Sequence, residues 1–332
     1  MGNNPTMKDV AREAGVSLGT VSKVMNGIPV GEEYRIKVED AAERLGYQVN
    51  AYARGLKTNK TNMVAVILPN VIHPFFGALA QYCNDYLRAR GYNMLLATTS
   101  YDAEAEKKCI AMVKQNKVDG IICLSYNADL EIDDDLPFVS IDRYYNAKVP
   151  CIASDNFGGG QLAAQKLYEF GCRKLLCLRD SSKIPGEADK RNLGFASYCQ
   201  LHNIDHEVFL VYESHHFQEF YDYLDQHITN GRLEFDGIFC GTDHLAYRIS
   251  KYLISKGIRI PEDVQLIGFD GLRKFGFSTF YVSTIVQPVK EIAQICVNTV
   301  LSEQQDRISP LMYLPVSFEE GGTTRKQPEA VK

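Results

Sequence analysis

The feature that most constrains this chain is an alternation of strand and helix patterns that runs through twice. From Asn62 onward, the short apolar runs MVAVIL (63–68), NMLLAT (93–98), DGIIC (119–123) and PFVSI (137–141) are separated by helical stretches near 75–90 and 103–116. The same rhythm returns in RKLLCL (173–178), HEVFLV (206–211), DGIFC (236–240) and VQLIGF (264–269). Strands that alternate with helices build parallel sheets covered by helices, so two α/β lobes are expected. The near repeat of VDGIIC and FDGIFC marks equivalent strands in the two lobes.

Ligands of such sheets sit beyond the carboxyl ends of the strands. Asp142 follows PFVSI, Asp270 follows VQLIGF, and Thr242 with Asp243 follows DGIFC, so all lie at such ends. Carboxylates and a guanidinium held there can exchange paired hydrogen bonds with adjacent hydroxyls, while aromatic rings cover an apolar sugar face. Taken singly, each acid also fits a plain helix cap or turn. Asp243 in particular reads as the N-cap of a helix over Leu245–Lys256.

A length of 332 residues asks for two or three domains. With 45% hydrophobic and 23% charged residues the chain is of ordinary globular composition, neither disordered nor collagen-like. It has no apolar run long enough to span a membrane, and MGNNPTMKDVAREAGVS lacks an apolar signal core, so a cytoplasmic protein is expected. Nine cysteines are scattered without CxxC pairs, which fits reduced thiols rather than a zinc site or a disulfide frame. NFGGGQ (156–161) is neither a GxGxxG turn nor a phosphate loop, and His73, His215, His216 and His244 show no metal spacing. No enzyme, cofactor or metal is expected.

The net charge of −5 speaks at first against a nucleic-acid partner. Its distribution reverses that. Residues 1–61 carry nine lysines and arginines against seven acids, and the remainder 27 against 34. Between Glu43 and Asp85 there is no acid, and Arg44, Arg54, Lys57 and Lys60 fall in that gap, where a phosphate backbone would be attracted.

Local patterns within this basic part are helical. Thr6 with Asp9 three residues on begins a helix whose apolar stripe is Met7, Val10, Ala11 and Ala14, and Gly15 ends it. Ser17 caps a second helix that turns Val21, Val24 and Met25 inward and leaves Leu18, Gly19, Ser22 and Lys23 outside. Two helices joined by a short glycine-containing turn make a helix-turn-helix, whose second helix can enter a DNA major groove. A third helix near Glu32–Leu45 supplies Ile36, Val38, Ala41, Ala42 and Leu45 to close a small core.

TMKDVAREAGVSLGTVSKVMNG (6–27) and EEYRIKVEDAAERLGYQVNAYARGLKTNKTNMVAVILPN (32–70) resemble the headpiece and hinge of the lactose-repressor (LacI/GalR) family of bacterial transcriptional regulators. SDNFGGGQLAAQKLYEFGCRKL (154–175), RNLGF (191–195), CGTDHLA (240–246), IPEDVQLIGFDG (260–271), TIVQP (284–288) and EEGGTTR (319–325) are similar to its effector domain. The resemblance thus covers almost the whole chain. It implies an all-α helix-turn-helix headpiece (1–49), a hinge (50–61) and a two-lobed α/β domain (62–325) like a type I periplasmic binding protein. The first lobe is expected at 62–160 plus 287–308, and the second at 161–286 plus 309–325.

By that resemblance Leu18 and Gly19 hold the main specificity positions, and Thr20, Ser22, Lys23 and Asn26 touch bases or phosphates, with Thr6 and Ser17 at the helix starts. Asn50, Ala53, Arg54, Leu56 and Lys57 belong to a hinge helix that forms on operator DNA, with Leu56 as a wedge in the minor groove. Gly55 replaces a serine frequent there and costs roughly 0.5–1 kcal/mol of helix propensity, so this hinge is expected to order less readily than most. Phe75, Phe76, Asp142, Arg191, Thr242, Asp270 and Gln287 are implied as effector contacts. Thr242 stands where asparagine is frequent, and Gly271 where a second acid is common.

The resemblance further implies a homodimer on pseudo-palindromic operator DNA, repression of carbohydrate-utilisation genes, and release by a sugar or sugar phosphate. Competing readings are a purine-like corepressor, or a sugar-binding protein that does not act on DNA. The tail after Arg325 has no apolar heptads, which favours a dimer over a coiled-coil tetramer.

Overall fold

The structure, a computed structural model, describes residues 5–47 and 60–325, with short breaks at 128–129, 131, 133–135, 183, 213–216, 273, 276–277, 280–281 and 303–308. The hinge residues Asn50, Ala53, Arg54, Leu56 and Lys57 lie outside the described residues. The chain divides into two compact units, Met1–Thr61 and Asn62–Lys332.

In the first unit, α1 (Met7–Ala14), α2 (Leu18–Met25) and α3 (Glu32–Leu45) enclose Val10, Val21, Val38, Ala41 and Ala42. The backbone N–H and the hydroxyl of Thr6 both donate to Asp9 Oδ2, at 2.9 and 2.7 Å, and set the first turn of α1. Gly15, at φ 65° in the left-handed region, ends it. Ser17 Oγ then accepts the N–H of Thr20 at 3.1 Å and opens α2. Ile36, expected in the core, is 46% exposed instead. It precedes Val38 by two residues, about 200° round the helix, so the two cannot share a face.

The second unit holds two six-stranded sheets. The first, in the order β15-β5-β4-β3-β1-β2, is parallel throughout: β1 (Met63–Leu68), β2 (Asn93–Thr98), β3 (Gly120–Cys123), β4 (Phe138–Ile141), β5 (Cys151–Ser154) and β15 (Leu311–Leu314). The second, in the order β16-β14-β11-β10-β6-β7, contains β6 (Lys174–Ser181), β7 (Asp205–Tyr212), β10 (Gly237–Cys240), β11 (Gln265–Asp270), β14 (Ser283–Val286) and the antiparallel edge strand β16 (Ser317–Glu319). Two-residue hairpins β8–β9 (Ile228–Thr229, Arg232–Leu233) and β12–β13 (Lys274–Phe275, Ser278–Thr279) decorate it.

Helices α4 (Pro74–Arg88), α5 (Ala103–Gln115) and α10 (Val289–Val300) cover the first sheet. The second carries α6 (Asn156–Glu169), α7 (Lys190–Leu201), α8 (Gln218–Gln226) and α9 (Asp243–Ser255). The repeated Asp-Gly motif has the same task in both lobes. Asp119 accepts the N–H of Asn62 (2.8 Å) just before β1, and Asp236 accepts those of Arg173 and Lys174 (2.9 Å each) at the start of β6.

Two expected lobe boundaries are corrected by the strand pairing. Leu311–Leu314 pairs with β5 and belongs to the first lobe, not to the second, because it closes an edge that β5 would otherwise leave open. Helix α6 packs on α7 and the second sheet, so the second lobe begins at Asn156 rather than 161. The chain therefore passes between lobes near Asp155, Gln287 and Pro315.

Candidate functional site

In the headpiece, α2 leaves Leu18 45% exposed, with Gly19, Lys23 and Asn26 also exposed and Thr20 and Ser22 partly buried. The Ser17 and Thr20 hydroxyls share a hydrogen bond of 2.9 Å, and Asn26 Nδ2 donates to the carbonyl of Ser22 at 2.6 Å. Part of the hydroxylic character of this helix is thus spent on its own ends. Lys23 makes no ion pair with any described residue, whereas Arg35 and Lys37 of α3 are held by Glu32, Glu39 and Glu33. A short helix with one exposed leucine, a bare glycine and an unpaired lysine is suited to a groove: small residues allow close approach, and the cation meets phosphate.

In the second unit, four of the seven expected effector contacts converge between the lobes. Arg191, in the first turn of α7, is buried; its Nε donates to Asn156 Oδ1 and its Nη1 to the carbonyl of Gly241, both at 2.7 Å. Its guanidinium lies 3.7 Å from the centre of the Phe269 ring and 3.7 Å from Asp270 Oδ1. Gln287 is the clamp at the crossing: Nε2 donates to Asp270 Oδ1 (2.7 Å), and Oε1 accepts the hydroxyl of Ser154 (2.8 Å) at the end of β5. Asp142, at the end of β4, completes the group. Both acids sit on backbone of positive φ, 55° at Asp142 and 125° at Asp270, conformations that cost side-chain-bearing residues about 1–3 kcal/mol and persist where the surroundings enforce them.

Three polar atoms here are shielded from solvent and have no hydrogen-bond partner among the described residues: Asp142 Oδ1, Asp270 Oδ2 and Nδ1 of His73. Burial raises the Asp142 and Asp270 carboxyls to about 6, against the pull of Arg191. Burial, reinforced by the Arg191 charge, lowers His73 to about 4, so its ring is neutral at pH 7. His73 Nε2 stands 3.9 Å from Asp270 Oδ2, beyond hydrogen-bond length, and reaches across from the start of α4. Unsatisfied buried acceptors are costly, which marks the place where hydroxyl donors fit.

The other expected contacts are placed differently. Phe75 and Phe76 are 4% and 7% exposed in the core of the first lobe, where burying each ring contributes about 2–3 kcal/mol. Phe76 also meets the His73 ring at 5.1 Å. Thr242, not Asp243, caps α9: its hydroxyl accepts the N–H of Leu245 at 3.1 Å. Asp243 is buried one residue further on, accepts the N–H of Leu272 at 2.7 Å, and is held well above the ordinary carboxylate range by burial and by Asp270. Gly271 stands at φ 81°, where a Cβ would lie 2.7 Å from Val286 Cγ1, so an acid there would not fit this turn.

Sequence reasoning missed the residues that hold this group together. Asn156 orients Arg191. Arg143 donates to the carbonyl of Ser125 (2.9 Å) in the first lobe and to those of Pro185 (2.6 Å) and Ile184 (3.3 Å) in the second. Tyr313 donates to Glu187 and accepts from Lys190, each at 2.7 Å, across the same lobes. Only the adjacency of Asp142 and Arg143 gave any signal in the sequence.

Comparison with known families decides what this pairing of headpiece and cleft is. Residues 6–50 match the bacterial regulatory proteins of the lacI family, and residues 61–308 match the periplasmic binding proteins and sugar-binding domain of the LacI family. The chain belongs to the LacI family. It is therefore a DNA-binding transcriptional regulator and not an enzyme.

Relatives of the same build run the whole length of this LacI-family chain. It is 31% identical over 324 residues to the sucrose operon repressor of Streptococcus mutans, covering 95% of this chain and 98% of that protein. The ribose operon repressor of Halalkalibacterium halodurans is 31% identical over 307 residues, 90% of each. The fold matches that of the Lac repressor dimer bound to operator and the anti-inducer ONPF, with a TM-score of 0.82 over 97% of this chain and 99% of that one at 20% identity. Among the described residues no helix is long and apolar enough to cross a membrane, and no cluster of side chains could hold a metal ion.

Proposed function

We propose that this LacI-family chain is a repressor of carbohydrate-utilisation genes that lets go of its operator when a sugar occupies the cleft between the lobes. The observation that carries the reading is the convergence of Asp142, Arg191, Asp270 and Gln287 at strand ends, with acceptors left unpaired between two lobes. A sugar presents adjacent hydroxyls that both donate and accept, which is what such a group requires. The names of the sucrose and ribose operon repressors support the same class of ligand. Phe75 and Phe76 back the cleft from the first lobe beside His73, and Thr242 retains its hydroxyl proton for a ligand.

On this reading DNA is contacted by Leu18, Gly19, Thr20, Ser22 and Lys23 of α2 and by Asn26 at its C-cap, with Thr6 and Ser17 at the helix starts, and by Asn50, Ala53, Arg54, Leu56 and Lys57 of the hinge. A two-fold operator calls for a homodimer, and the exposed apolar side chains Leu96 on β2 and Met112 on α5 favour a partner on that face. Coupling is reciprocal: a sugar that loosens DNA binds less well to the DNA-bound form. The test is Arg191→Ala in the full chain. It should abolish the response of operator binding to sugar and leave sugar-free operator binding intact, and equal loss of both would overturn the assignment.

A further inference from the structure

Resting on the sugar reading, the charge complement of the cleft assigns the kind of sugar. We infer that the effector is an unphosphorylated, uncharged polyol, and that the cleft discriminates against the monophosphate of the same sugar. A phosphate monoester brings a charge of about −1.5 to −2 and needs uncommitted cations to receive it.

Three described cations near this group, Arg143, Arg179 and Lys190, are already matched. The guanidinium of Arg143 donates to three carbonyl oxygens. Arg179 donates to Asn192 Oδ1 at 2.9 Å and pairs with Asp189 at 2.8 Å. Lys190 is held by Glu187 and by the hydroxyl of Tyr313, both at 2.7 Å. Arg191 alone faces the converging acids. Two of its N–H groups are engaged by Asn156 and Gly241, and the rest of the fork is left to donate, but its charge is opposed by Asp270 at 3.7 Å and by Asp142. His73 is neutral and adds no charge.

The unpaired atoms point the same way. Asp270 is 4% exposed, and among the described residues neither its Oδ2 nor the shielded Oδ1 of Asp142 has a hydrogen-bond partner. Both are acceptors. A hydroxyl satisfies them by donating, and its own oxygen can accept from Arg191, so one polyol completes both halves of the group. A phosphate dianion has only acceptors to offer, and would set three negative groups around one guanidinium. Like-charge juxtaposition of this kind opposes binding in a desolvated site.

The test uses the full-length protein and matched pairs: D-ribose with D-ribose 5-phosphate, D-fructose with D-fructose 6-phosphate, and sucrose with sucrose 6-phosphate. Binding is measured by titration calorimetry at pH 7.5. In any pair that binds, the free sugar should be tighter by at least about tenfold, and Asp142→Asn should narrow that ratio. A monophosphate that binds as tightly as its parent, or a ratio that Asp142→Asn leaves unmoved, would overturn this inference and leave the sugar reading standing. Binding by no member of any pair would overturn the sugar reading itself, and this inference with it.

Discussion

The position of Arg191 depends on how closely two helices approach, and one methyl group tests that dependence. As the fifth residues of α6 and α7, Gly160 and Gly194 face each other's helices. A Cβ built on Gly160 would lie 1.9 Å from the carbonyl oxygen of Arg191 and 2.8 Å from the backbone nitrogen of Phe195. A Cβ on Gly194 would lie 1.9 Å from the carbonyl oxygen of Phe157. These obstacles are backbone, so no rotamer change relieves them. Against the 3.4 Å of ordinary contact, Gly160→Ala must separate the helices by about 1.5 Å. The bond from Arg191 Nε to Asn156 Oδ1, now 2.7 Å, would then be broken.

Overpacking costs about 1–3 kcal/mol, and loss of a hydrogen bond to a buried charge about 1.5–3 kcal/mol. Even a loss of about 3 kcal/mol, near the low end of their sum, lowers the melting temperature of a body this size by about 6–12 °C. Scanning calorimetry and sugar titration on the same preparation read both effects: a lower melting temperature and sugar affinity reduced by at least about tenfold. Gly19→Ala is the control, since its Cβ meets only Ser17 Oγ at 3.6 Å and a helix gains about 0.5–1 kcal/mol from the change. Wild-type stability and sugar response in Gly160→Ala would refute the claim that close helix approach positions Arg191.

Further expectations concern pH and DNA. Asp142 and Asp270 are raised to about 6, and hydroxyl donors favour their ionised forms, so sugar binding should release protons and weaken as pH falls through 6. The raised carboxyls favour the folded state below the ordinary carboxylate value and lose that contribution as pH rises through about 6. The gain in melting temperature from sugar should therefore be larger at pH 7.5 than at pH 5; an equal gain at both would remove these acids from the site. Lys23→Ala should weaken binding to all duplexes alike and reduce the salt slope by about one, whereas an effect confined to one sequence would make Lys23 a base reader. Ser17→Ala removes the acceptor for Thr20 N–H and should destabilise α2 by about 1 kcal/mol, seen as a lower melting temperature of the headpiece, and an unchanged one would show that this cap is dispensable.

Much of this architecture could be read from the chain because its cues are local. MVAVIL and NMLLAT became β1 and β2 over the ranges their apolar runs mark, and the repeated Asp-Gly motif proved to tie strand starts in both lobes. Weak local cues hid two strands: Cys151–Ser154 is fixed by pairing with β4 on one side and with Leu311–Leu314 on the other, and Leu311–Leu314 is a strand because that edge is there to pair with. The lobe boundary moved for the same reason. At the site, strand-end acids were legible as positions, but their partners were not, since Gln287 meets Ser154 across 133 residues and Arg191 meets Asn156 across 35. The cap of α9 went to Thr242 rather than Asp243 because the acid is drawn inward to the turn at Leu272, which no spacing rule reveals.

The central claim is that one chain couples a sugar cleft to a DNA-reading helix. Fluorescence anisotropy with a duplex selected from random sequence by the full-length protein measures that coupling directly, as operator affinity across a titration of the sugar that binds. The expected result is progressive release of the operator, with the operator lowering sugar affinity by the same factor. A sugar that occupies the cleft while operator affinity stays constant would contradict it.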